Sequence, residues 1–291
     1  MLHLPWSYRR NHTNVDSVHG NAGHIAQAIR PPSYHALTNT SRYHVLAIDY
    51  RGFGHSTGSP TETGVIIDAT TAVEWATKVA GVPASRIVLL GQSLGTAVAS
   101  ATAEHFSRNE GIDFAGVVLV SGFSSLPTML AGYAIAGWVP VLYPFRAWPW
   151  LLNKFMSFVV DKWPSADRLR ETVRAVKARR GRFHLHLVHA KNDLDIPCHE
   201  DDKLFAAAVS GLEPELPTGG GVSGTQRTMD DKSLMREKEK RTVHRGEDAF
   251  VTTWKDEESD IVIRQELYPR GGKKVEIRLL HACQALSICF P

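Results

Sequence analysis

Five consecutive residues, Gly91-Gln92-Ser93-Leu94-Gly95, have the types and spacing for nucleophilic chemistry. A G-x-S-x-G pattern carries information only through its setting. Here it follows the apolar run Ile87 to Leu90, fit for a buried parallel strand, and precedes the small-residue segment Ala97 to Phe106, which reads as a helix. A serine on so tight a strand–turn–helix bend needs neighbours without side chains, because strand and helix approach closely there. The helix start adds partial positive charge beside a developing oxyanion. Ser93 is therefore predicted to be the nucleophile of an acyl-transfer reaction. A chance match in a glycine-rich turn is the bland alternative, and the flanking strand and helix argue against it.

Such chemistry needs further groups. A second oxyanion donor comes from a loop earlier in the chain, beside the N–H of the residue after the nucleophile. His19-Gly20-Asn21-Ala22-Gly23 suits that loop, since small residues let a carbonyl oxygen approach; alone it would pass for an ordinary turn. Asn21 and Leu94 are the predicted donors. An acid is predicted in His189-Ala190-Lys191-Asn192-Asp193-Leu194-Asp195-Ile196-Pro197, which follows the apolar run Leu185 to Val188. Carboxylates at the C-terminal ends of strands are where α/β enzymes place site residues. Asp193 is preferred over Asp195, which precedes Ile196-Pro197 and suits a turn.

The elements that must position these groups form a regular series. Val45 to Ile48 ends in Asp49-Tyr50 and the turn-rich Arg51 to Ser56, and Ile66 to Val79 has helical apolar spacing after Thr61 to Thr63. Val117 to Val120 and Ile261 to Leu267 supply more strands. The alternation predicts one α/β domain over 1–291, with a mostly parallel sheet and helices on both faces. Two stretches interrupt it. Leu126 to Trp163 holds four of the seven tryptophans and is broken by Pro140, Pro144 and Pro149. Residues 213–258 turn to Gly, Ser, Thr and mixed charge, and are predicted to be a flexible insertion. Thr13 to Val18 reads as a poor buried strand, because Asn14 and Asp16 would need interior partners.

Composition narrows the function classes. The 291 residues carry a net charge of only +3, with no basic stripe, which argues against nucleic-acid partners. No run of 18 apolar residues predicts a membrane span, and Met1 to Asn14 lacks the apolar stretch of a signal peptide. The chain as given reads as soluble, with peripheral membrane contact left open. Its three cysteines and its histidines lack metal-ligand spacing, so no metal is expected. Arg51-Gly52-Phe53-Gly54 offers only part of a dinucleotide fingerprint, and no cofactor is expected.

The strings Ala47 to Ser56, Gly91 to Thr96 and His189 to Pro197 together resemble fungal α/β-hydrolases, similar to the α/β-hydrolase-domain monoacylglycerol lipase and lysophosphatidylserine lipase subfamily. The resemblance spans roughly His19 to Leu204. It implies the α/β-hydrolase fold and a Ser–Asp–His triad acting on lipid or other carboxylic esters through an acyl-serine, with Asp193 orienting the base. It also implies an aromatic-rich cap over about 126–163 that suits an acyl chain, and association with the endoplasmic reticulum membrane. Further strands are implied before His19, so the expected fold is incomplete at the N-terminus and atypical in the tail Lys273 to Pro291. The implied histidine belongs in a Gly-Gly-His setting after the last strand, where this chain reads Gly271-Gly272-Lys273-Lys274. A lysine, protonated at neutral pH, cannot serve as that base. His281 is the remaining candidate, with His199 and His244 weaker and a plain helix role for His281 the alternative. The rival reading is a catalytically impaired hydrolase lacking the triad histidine, serving as a binding fold or arising as a truncated gene product. Peptidase, thioesterase or acyl-transfer chemistry would share the same bend.

Overall fold

In the computed structural model, the structure describes residues 13–21, 23–27, 30–39, 43–132, 134–135, 139–140, 159–213, 233–234, 237–238, 241–245, 249–256 and 258–270. The strands are β1 (Thr13–Val18), β2 (Tyr43–Ala47), β3 (Ile87–Gln92), β4 (Gly116–Val120), a two-residue pair β5 (Ala134–Ile135) and β6 (Val139–Pro140), β7 (Arg182–Ala190), β8 (Thr242–Arg245), β9 (Ala249–Lys255) and β10 (Asp260–Tyr268). The helices are α1 (Arg30–Thr38), α2 (Glu62–Glu74), α3 (Leu94–His105), α4 (Leu126–Gly132), α5 (Ser165–Ala178) and α6 (His199–Ser210).

The main sheet has the order β2-β1-β3-β4-β7-β10-β9-β8. Every pairing from β2 to β10 is parallel, and β9 and β8 close the edge antiparallel. The continuous apolar runs of β3 and β4 follow from burial on both faces. Ile87, Leu89, Val117 and Leu119 join one core with residues of α2, α3, α5 and α6, while Val88, Leu90, Val118 and Val120 join a second core with Leu37 of α1. The predicted strand–helix alternation is therefore present, with α2 capped by the Thr61 hydroxyl, which accepts from the Gly64 N–H at 3.2 Å. The stretch Ile66 to Val79 extends α2 into a π-helical turn over Trp75–Val79.

Two expectations need correction. Thr13–Val18, discounted as a buried strand, is β1, and it lies between β2 and β3. Asn14 resolves part of the polar problem by donating from Nδ2 to Asp16 Oδ1 at 3.0 Å. Burial pushes the Asp16 carboxyl up to about 7, a protonation state the interior tolerates. The expected insertion 213–258 is not wholly a loop: its last part supplies β8 and β9, with Val251 and Ala249 entering the second core. Alternating residues of modest hydrophobicity, such as Phe250-Val251-Thr252-Thr253, sufficed once β10 offered an edge. Of the expected cap, α4, the β5–β6 pair and residues 159–163 are described; Trp148 and Trp150 lie outside the described residues.

Candidate active site

Ser93 stands between β3 and α3 with φ 52° and ψ −120°. A non-glycine residue there carries roughly 1–3 kcal/mol of backbone strain. The surroundings hold it: the Ser93 N–H donates to the Val120 carbonyl at 3.0 Å, and the Ser93 carbonyl accepts from the Thr96 N–H at 2.9 Å and hydroxyl at 2.6 Å. Its own hydroxyl does not cap α3. The flanking glycines are sterically required. A Cβ on Gly91 would overlap the Gly95 carbonyl, and one on Gly95 would overlap that of Val18. Leu94 begins α3, where the first N–H groups have no intrahelical partner.

Ser93 opens into a cleft of about 510 Å³. Asn21, Leu94, Asp195 and Ile196 share its wall, and Phe53, Phe123, Met129 and Trp163 make much of the lining apolar. Three predicted site residues, Asn21, Ser93 and Leu94, thus come together. Gly20 lets them do so, since a Cβ there would lie 3.2 Å from that of Ser93. His19 is buried beneath this loop, its ring centroid 4.4 Å from that of Tyr50 and tilted 36° to it. Burial lowers the His19 pKa.

The acid loop differs from expectation in detail. Asp193 makes the turn expected of Asp195, its Oδ1 accepting from the N–H groups of Asp195 (2.9 Å) and Ile196 (3.0 Å). Asp195 is exposed and lines the cleft. Behind the loop, the buried His189 ring hydrogen-bonds through Nε2 to the Ile196 carbonyl at 2.9 Å and faces Asp193 Oδ2 at 3.6 Å. Desolvation opposes a charge on His189, but Asp201, the Ile196 carbonyl and Asp193 together outweigh it and raise the pKa. Lys273 and His281 lie outside the described residues, as does the side chain of His244. His199 is more than half exposed at the start of α6. None of the described residues lining the cleft is a histidine.

Sequence reasoning missed the Arg30 contacts to the Gly20 loop and the network behind Asp193, in which Gln265 Nε2 donates to Asp201 Oδ2 at 2.7 Å. The signals were faint: single polar residues inside apolar segments. Among the described residues no cluster of three or more His, Cys, Asp or Glu could hold a metal, and no helix is long and apolar enough to cross a membrane.

A model of the Alpha/beta hydrolase family matches residues 18–256. The chain belongs to the alpha/beta hydrolase family. Among curated members, it is 31% identical over 194 residues to Protein ABHD12B of Homo sapiens, covering 66% of this chain and 48% of that protein. It is 28% identical over 193 residues to the Lysophosphatidylserine lipase ABHD12 of Xenopus tropicalis, covering 66% and 46%. The chain thus spans about half the length of these two relatives. Among solved structures, an alpha-beta hydrolase from Vibrio vulnificus superposes with a TM-score of 0.51 at 21% identity, covering 68% of this chain and 63% of that one, a likeness of fold.

Proposed function

We propose that the chain is a serine hydrolase of carboxylic esters acting through an acyl-Ser93 intermediate. One observation carries the reading: a positive-φ serine at the C-terminal end of a central strand, free of helix capping and open to an apolar-lined cleft. In this reading the bend is a nucleophile elbow. The Ser93 hydroxyl adds to the ester carbonyl while its proton passes to a base. The N–H groups of Leu94 and Asn21 receive the oxyanion, and collapse expels the alcohol. Water then cleaves the acyl-enzyme. Asp193 is the acid that orients the base, and His281 is the candidate base.

The substrates proposed are lipid esters of monoacylglycerol or lysophospholipid type. The apolar lining suits an acyl chain, and relatives include named lysophosphatidylserine lipases. Such amphiphiles make peripheral membrane contact part of the reading. The stretch 126–163 acts as a cap on a single α/β domain. Fluorophosphonate labelling tests the nucleophile: strong labelling of the wild type, abolished in Ser93→Ala, is the expected result. Equal labelling of both proteins would refute the assignment.

A second reading has one observation in its favour: no histidine lines the described part of the cleft, and Lys273 stands where one is expected. The chain would then be a hydrolase fold with impaired chemistry. Absence of both labelling and ester turnover would favour it.

A further inference from the structure

The Gly20 carbonyl oxygen is gripped from two sides. His19 Nδ1 lies 2.8 Å from it, and Arg30 Nη2 lies 3.3 Å from it. Arg30 also donates from Nη1 to the His24 carbonyl at 2.7 Å, so one guanidinium at the start of α1 spans the loop. The Tyr50 hydroxyl donates to the His19 carbonyl at 3.2 Å and fixes the loop's near end.

A carbonyl only accepts, so His19 Nδ1 must carry the proton. The other ring nitrogen, Nε2, stands 3.5 Å from Asp49 Oδ1. The lowered pKa of the buried ring agrees with this neutral tautomer.

The consequence follows from peptide geometry. The Gly20 carbonyl and the Asn21 N–H belong to one planar trans unit, and they point to opposite sides of it. Anchoring the oxygen on one side therefore dictates where the N–H points. Asn21 lines the cleft beside Ser93, and the Gly20 backbone packs directly against the serine. Rotating this peptide by half a turn would present a carbonyl oxygen to the oxyanion, replacing attraction by repulsion. A site that must hold its donors ready before charge develops needs that rotation blocked.

We propose that Arg30 and His19 are positioning residues that clamp the Gly20–Asn21 peptide with its N–H turned toward the oxyanion formed at Ser93. Arg30 is the remote anchor: its guanidinium offers two donors in a fixed fork, one per carbonyl. His19 supplies the local bond. The inference rests on Ser93 being the nucleophile.

The test uses the full chain as wild type, Arg30→Met, Arg30→Lys and Ser93→Ala. Measured are kcat and KM on a p-nitrophenyl ester, the inhibition constant of an alkyl boronic acid (whose tetrahedral serine adduct places an oxygen in the oxyanion site), and Tm. Loss of one oxyanion donor typically costs about 100–1,000-fold in kcat. Loosening that donor in Arg30→Met should cost roughly 10–100-fold, with KM changed less than about threefold and boronate affinity falling in step with kcat. Arg30→Lys should recover part of both, because lysine restores a donor without the fork. Unchanged kcat and boronate affinity in both Arg30 variants, with Ser93→Ala inactive, would overturn the clamp and leave the hydrolase reading standing. Losses of kcat that follow Tm alone, without a matching change in boronate affinity in the better-folded Arg30→Lys, would also overturn it. Wild type and Ser93→Ala of equal activity would remove the hydrolase reading itself, and the clamp with it.

Discussion

The imidazole of His189 and the carboxylate of Asp201 face each other across 3.6 Å with both side chains wholly buried. The same ring reaches the acid loop on its other edge, so strand β7, helix α6 and the Asp193 turn meet at one side chain. Gln265 of β10 holds the second oxygen of Asp201, which ties a fourth element into the group.

Removing one member of a buried ion pair leaves the other without compensation and costs about 3–5 kcal/mol. Below pH 6.5, where the ring carries its proton, His189→Leu is expected to lose stability in that range by urea unfolding, and the loss should shrink when Asp201→Asn is added. A double-mutant cycle with coupling near zero would show that the two groups act independently. The raised His189 pKa also sets a direction: its contribution is full below the ordinary value of 6.5 and fades as pH rises through the folded-state value.

Asp16 has the same sign by a different route. Its carboxyl, ordinarily near 3.8, is held up at about 7 by burial in β1. Between those values the native state keeps a proton that the unfolded chain has released, so stability falls as pH rises across the window and levels off above it. The full drop is on the order of 4 kcal/mol from the cited values. Asp16→Asn should flatten this part of the profile and be more stable than wild type at pH 8, with the two proteins alike near pH 4. Parallel urea midpoints at both pH values would contradict the assignment.

Glycine substitutions should separate close approach from backbone preference. Gly95→Ala would drive a methyl group into the Val18 carbonyl, where only backbone movement relieves the clash. Gly81 has φ +70° with nothing within 4 Å of a notional Cβ, so Gly81→Ala pays only for the left-handed backbone, about 1–2 kcal/mol. Gly95→Ala should cost clearly more than that and should also distort the Ser93 bend. Thermal unfolding of the two variants side by side decides the matter; equal costs would mean that the helix is not pressed against β1.

The sequence was most legible where physics left one solution. β3 and β4 announced themselves because strands buried on both faces tolerate only apolar residues, and the Gly91–Gly95 spacing because no side chain fits between strand and helix. β1 was illegible for the opposite reason: it carries Asn14 and Asp16 inside, and their mutual bond and shifted proton are invisible in a linear pattern. The Arg30 grip depends on a loop conformation that brings residues ten apart within hydrogen-bond reach. Which of Asp193 and Asp195 the loop's own N–H groups capture is a competition that a linear pattern does not show.

The interior place of β1 has a consequence for how the chain assembles. Its Asn14 pairs with Ile87, far along the sequence, and with His44 on its other side. During synthesis this strand emerges before β3 and must wait for it before both its rims are covered, a long-range closure that slows folding. Until then one rim of its backbone lacks its native partner. The β9–β10 hairpin, joined by neighbouring residues, can zip on its own schedule.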